Sequence, residues 1–168
     1  MQKLAYPLIL LFMSLFNNPN RIPENYGLKI AGGLIAFFLL MKLVGLVHHY
    51  ELRFLNVIIQ VGGIYFALKK FKQTHEDHMN YFRALITGVA TGAIASGVFA
   101  LFLFTYFSLD AALMQGIIDN EPMGRYLNPY IAAFMVALEG LFSGLLFTFI
   151  IINYVDTDDV NDPQGETY

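Results

Sequence analysis

The chain has 168 residues, of which 57% are hydrophobic and only 14% charged, well below the ~25% charged content of soluble domains. A mean hydropathy of +0.54, with 16 Phe, 14 Gly and no Trp, excludes an ordinary soluble enzyme, a secreted disulfide scaffold and a disordered tail protein. The absence of Cys removes disulfides, thiolate metal sites and cysteine nucleophiles. The net charge of −3 is gathered at the C-terminus in Asp156, Asp158, Asp159, Asp162 and Glu166, and the body carries ten bases against eight acids. Those bases are scattered except at Lys69-Lys70-Phe71-Lys72, which abuts an apolar run and reads as a membrane topology signal. No nucleic-acid partner and no cofactor is expected.

In chain order, Leu4 to Phe16 is a mostly apolar run, about 20 Å long as a helix and too short to span a bilayer. Lys3 ahead of it imitates a signal peptide, but Leu15-Phe16-Asn17 offers no small-x-small cleavage site. Residues 1–25 therefore read as an uncleaved interfacial helix and linker, with Pro19 and Pro23 stopping any continuation. Met13 is an alternative start. Four spans follow: Ile30 to Val47, interrupted by Lys42; Leu52 to Leu68, with Arg53, Asn56 and Gln60 in its first half; Ala84 to Leu109, free of charge; and Ile131 to Ile152, with Glu139 inside it. At ~1.5 Å per residue such lengths cover the ~30 Å hydrocarbon core.

The connections are unequal. Val47 to Glu51 allows a tight hairpin, and Thr74-His75-Glu76-Asp77 fits a capping box opening helix three. Between Ser108 and Tyr130, Leu109, Leu113, Met114, Ile117 and Ile118 recur at helical spacing, predicting a short amphipathic helix on the outer surface. Residues 155–168 read as a disordered acidic tail. The expected fold is all-α: an integral membrane four-helix bundle over residues 26–154, with an N-terminal interfacial helix and a periplasmic amphipathic helix between spans three and four.

Orientation follows the bases. Lys3, Arg21, Lys29, Lys69, Lys70, Lys72 and Arg83 share one side of a four-span topology, against Lys42, Arg53 and Arg125 on the other. The positive-inside rule places both termini in the cytoplasm. Tyr26, Tyr81 and Tyr154 at the inner boundary, and Tyr50, Tyr106, Tyr126 and Tyr130 at the outer, form an aromatic belt without Trp.

Tyr26-Gly27-Leu28-Lys29-Ile30-Ala31-Gly32 opens span one, and Gly63-Ile64-Tyr65-Phe66-Ala67-Leu68-Lys69-Lys70-Phe71 closes span two in a basic patch. Tyr81-Phe82-Arg83-Ala84-Leu85 then leads into a Gly-rich span three, and Leu138-Glu139 sits inside span four. This order of features resembles the bacterial membrane proteins of domain-of-unknown-function family 4199. The resemblance implies a small four-span protein of the bacterial inner membrane, and it implies no activity.

Glu139 is the most informative residue, because an ionised carboxylate midway along a span costs a few kcal/mol even on the lenient insertion scale. It reads as a polar clasp between helices, a proton or cation site, or a lipid or ligand contact. Lys42 is either its partner, if helices one and four are neighbours, or snorkels to the headgroups. Arg53, Asn56, Gln60 and Gly63 share one helical face, and Lys42, Gly45 and His49 form a similar stripe. Lipid cannot satisfy such faces, so both should turn inward, toward a vestibule or a packing seam that includes Ser143. Gly88, Gly92 and Ser96 on span three, and Gly140 and Gly144 on span four, have the small-xxx-small spacing of close helix packing, within a bundle or between protomers.

Metal and catalytic constellations are weak. His75 and His78 lie on a polar loop, and no histidine within spans three or four is placed to activate Ser96 or Ser143. No enzymatic activity is expected. The leading expectation is an accessory or structural subunit of a larger membrane complex, or a homo-oligomer. The alternative is a small transporter or a proton- or ion-coupled sensor using Glu139. A water-accessible cavity around Glu139 separates the two.

Overall fold

The computed structural model describes residues 21–45, 53–74, 81–120 and 122–155, with the Arg53 side chain left aside. Five helices are seen there: α1 (Ile22–Val44), α2 (Arg53–Thr74), α3 (Tyr81–Leu109), α4 (Ala111–Asn120) and α5 (Pro129–Val155), with a 3-10 turn at Gly124–Tyr126 before α5. All but α4 are long and apolar enough to cross a membrane. The 23 residues of α1 reach about 34 Å and the 29 of α3 about 43 Å, enough to cross the ~30 Å core. The expected N-terminal interfacial helix, the Val47 hairpin with His49 and the acidic tail from Asp156 lie outside the described residues.

Helix ends differ from the sequence expectation for identifiable reasons. Pro23, expected to end the N-terminal run, belongs to span one. It stands in the first turn of α1 beside Glu24, where a fixed φ and a missing N–H cost nothing and an acid suits the helix dipole. The helix therefore begins at Ile22 rather than Ile30. It ends at Gly45, which takes the left-handed φ of 75° and donates its N–H to the Lys42 carbonyl at 3.0 Å. The stripe expected to run from Lys42 through Gly45 to His49 is thus cut by a helix cap. At the far end of α2, the Thr74 hydroxyl donates to the Lys70 carbonyl at 2.8 Å, and the rest of the expected capping box, His75 to Asp77, lies outside the described residues.

The third span, α3, is the centre of the bundle. It packs against α1, α2 and α5, with α5 its most extensive neighbour, whereas α1 and α5 form no packed pair. Small residues explain the α3–α5 contact. A methyl group added at Gly92 would lie 3.1 Å from the Gly144 Cα, and one added at Gly140 would run into the Ser96 side chain. Neither crossing tolerates a larger residue without moving a backbone. Hydroxyls in this region return to their own helices. Thr91 donates to the Thr87 carbonyl at 2.7 Å and Thr148 to the Gly144 carbonyl at 2.6 Å, so burial leaves no donor orphaned there. With Ile64, Leu68 and Ile152 also fully buried, the half of the bundle near Thr74 and Val155 is closely packed. Lys72 ties its end by donating to the Val155 carbonyl at 2.9 Å.

Candidate functional site

The opposite half of the bundle is hollow. A cavity of about 570 Å³ lies among all four spans, bounded by Phe37, Phe38 and Met41 of α1, Phe99, Leu103 and Phe107 of α3, and Met135 and Val136 of α5. Ile117 of α4 and Leu127 after the 3-10 turn close it at the end of the bundle. This volume falls within the ~300–1,000 Å³ of small-molecule sites. From Ala132 to Ser143, both lining residues, the cavity follows α5 for about 16 Å. Wide aromatic side chains replace the glycines of the packed half, which holds the helices apart here.

Its floor is a polar clasp. The buried Gln60 amide donates to the Gly140 carbonyl at 2.7 Å, and its carbonyl oxygen accepts from the Ser143 hydroxyl at 3.1 Å. Ser143 is also 3.2 Å from the Gly140 carbonyl, and Ser96 beside it donates to the Gly92 carbonyl at 2.9 Å. Gln60 thus joins α2 to α5 where α3 and α5 cross through Gly92 and Gly144. Interhelical bonds of this kind are typically worth ~0.6 kcal/mol each in a membrane, with a maximum near ~1.7.

One helical turn from this clasp, toward the hollow end, stand Asn56 on α2 and Glu139 on α5, four residues before Gln60 and Ser143 respectively. Both helices run from the hollow end to the packed end, so the two residues are level, and both line the cavity. The Asn56 Oδ1 is buried with no hydrogen-bond partner. Glu139 is exposed on its own chain, with cavity-lining Val136 and Ser143 on one side of it along α5 and exposed Phe142 and Leu146 on the other. It occupies the lip of the cavity, and among the described residues no side chain bonds to it.

Lys42 has partners that neither sequence alternative named. Its ammonium pairs with Asp110 at 2.5 Å and donates to the Tyr106 hydroxyl, while lying 4.6 Å from the Tyr106 ring centroid. Pairing with Glu139 required α1 and α5 to be neighbours, and α3 lies between them. Asp110 holds two jobs. One carboxylate oxygen takes Lys42, and the other accepts the Leu113 N–H at 3.0 Å, capping α4. The Lys42 ammonium, then the Leu113 N–H, hold the Asp110 carboxyl below its usual value of 3.8. Phe38 adds edge-on ring contacts to Phe102, Tyr106 and Phe107, with centroids 5.9, 5.4 and 6.1 Å apart. This knot fixes α1 to α3 and α4 over the cavity.

Gln60, Asn56, Ser143 and Glu139 are thus brought to one cavity, and Lys42 is diverted to its rim. The backbone of Arg53 belongs to α2, and His49 lies outside the described residues. Gly92, Ser96, Gly140 and Gly144 meet one another inside the bundle, and Gly88 lies against Thr148. Sequence reasoning missed Asp110, although an Asp directly before a helical run is an N-cap signal. Four apolar spans around an internal cavity give the chain the build of a multi-pass membrane protein. Comparison with protein-family models, curated proteins and solved structures finds no match for it.

Proposed function

We propose that the chain is a non-enzymatic multi-pass protein of the bacterial inner membrane, both termini cytoplasmic, that binds a small molecule inside the bilayer as a sensor or carrier. The cavity beside Glu139 is the observation that carries this reading. Apolar walls with a few convergent polar groups are the usual form of a ligand site, and an intramembrane carboxylate is a functional signal by default. The non-enzymatic reading is supported by the serines. The Ser143 hydroxyl is engaged with Gln60 and Gly140, and that of Ser96 with its own helix, so neither faces a base. The resemblance to domain-of-unknown-function family 4199 over residues 26–154 belongs to the same proposal, as does the placing of α4 on the periplasmic membrane surface.

The rival reading, an accessory subunit or homo-oligomer, loses much of its motivation because Gly88, Gly92, Gly140 and Gly144 are used within the bundle. What favours it still is Gly32 on α1 and Gly97 on α3, which have open space beside them. Native mass spectrometry after mild extraction tests the choice. The protein should carry a small-molecule adduct that Val136→Trp, which fills the cavity, removes. Equal spectra for the two proteins, with a multimer as the main species, would favour the rival.

A further inference from the structure

The polarity of the cavity runs opposite to that of a bilayer leaflet. Its polar groups, Gln60, Ser143 and Asn56 with Glu139 at the lip, are at the end nearest the middle of the bundle, and apolar Met41, Phe107, Ile117 and Leu127 lie toward the end that α4 covers. A phospholipid seated here would place its headgroup among phenylalanines and its chains against a carboxylate. A molecule with its polar end at mid-membrane and its apolar part toward α4 matches the lining.

The groups left without partners define that polar end further. The Asn56 Oδ1 is a buried acceptor with nothing donating to it, and Glu139, level with it on the cavity lining, can accept through its carboxyl oxygens. Two donors nearby, the Gln60 amide and the Ser143 hydroxyl, are already engaged with each other and with Gly140. Two open acceptors, the Asn56 Oδ1 and the Glu139 carboxyl, thus stand at one level on adjacent parallel helices. They call for a donor, and a cationic donor best offsets a carboxylate in low dielectric. The aromatic walls suit the rest of the molecule: the four rings of Phe37, Phe38, Phe99 and Phe107 line a channel about 16 Å long.

We infer that the cavity is a site for a hydrophobic amine, with the ammonium N–H groups on Glu139 and Asn56 and the hydrocarbon directed past Phe37 and Phe107 toward α4. This rests on the ligand-binding reading above and names its ligand class.

The chain has no Trp, so Phe37→Trp supplies a single fluorophore in the wall, with Met41→Trp as the second reporter if the first does not fold. In phosphatidylcholine nanodiscs, three probes of one chain length are titrated: an ω-bromoalkyl amine, the matching alcohol and the matching carboxylic acid. The bromine quenches Trp on contact. The amine should quench saturably and bind tightest. Glu139→Gln should weaken it by about tenfold or more, equivalent to ~1.4 kcal/mol, with the alcohol changing far less. Asn56→Leu should weaken the amine and the alcohol alike. If the acid or the alcohol binds as well as the amine, or Glu139→Gln leaves amine affinity unchanged, the ligand class is wrong although a site exists. If no probe saturates with either reporter, the ligand-binding reading falls with it.

Discussion

Replacing Gln60 by Leu removes the clasp while nearly conserving volume. The side chain is 6% exposed, so hydration compensates little for what is lost. Two interhelical bonds disappear, to the Gly140 carbonyl and from the Ser143 hydroxyl. The Gly140 carbonyl keeps Ser143 at 3.2 Å, so no acceptor is orphaned and no desolvation penalty is added. At ~0.6 kcal/mol per bond, with ~1.7 as the upper bound, the loss should be about 1–3 kcal/mol. Because the chain lacks Cys, a Thr91→Cys background provides a thiol at a position that is 0% exposed in the native bundle. Its reaction with a fluorogenic maleimide during titration with a denaturing detergent reports opening of the helices. The Ser143→Ala variant completes a double-mutant cycle, and the shared bond should give a coupling near ~0.6 kcal/mol. Strict additivity, with a Gln60→Leu loss under about 0.5 kcal/mol, would refute the clasp.

Three further outcomes are expected. Gly140→Val should destabilise by about 1–3 kcal/mol in the same assay, since its methyls meet Ser96 across the α3–α5 crossing. Asp110→Asn keeps an N-cap for α4 but loses the ion pair to Lys42. Because the folded-state carboxyl is held below its usual 3.8, the pair stabilises above that value and is lost as pH falls through the depressed one. The gap in melting temperature between wild type and Asp110→Asn should therefore persist from pH 7 to pH 5 and close only in stronger acid. For orientation, His75→Cys should resist and Asp119→Cys accept an impermeant thiol reagent in cells with a permeabilised outer membrane. The reverse pattern would invert the topology.

Much of the architecture was legible because it depends on composition and local pattern. The four spans follow from apolar runs long enough for a bilayer, and α4 from the recurrence of Leu113, Met114, Ile117 and Ile118. Gln60 stood out because an amide in an apolar helix needs a protein partner. The partner itself was out of reach of sequence, since Gly140 and Ser143 meet it only after α2 and α5 pack. Lys42 illustrates the same limit. Its side chain and that of Glu139 are long enough to bridge the ~8 Å between their depths, yet which helix faces α1 is a property of the bundle, and α3 brought Tyr106 and Asp110 to it instead. The start of α1 ahead of Ile30 escaped notice for a local reason: the polar first turn around Pro23 and Glu24 carries no hydrophobic periodicity. The cavity has no sequence signature, because it is the space left when aromatic side chains on α1 and α3 fail to fill what the glycines below them bring together.

The most direct test of an open intramembrane site around Glu139 is cysteine reactivity in the otherwise Cys-free chain. Glu139→Cys and Phe142→Cys place thiols one turn apart on α5, the first on the cavity lip and the second on the 69% exposed outer face. With the protein in nanodiscs, a small cationic methanethiosulfonate should modify position 139 rapidly and position 142 slowly. Equally slow reaction at both positions would mean that the carboxylate faces only lipid and that no accessible cavity exists.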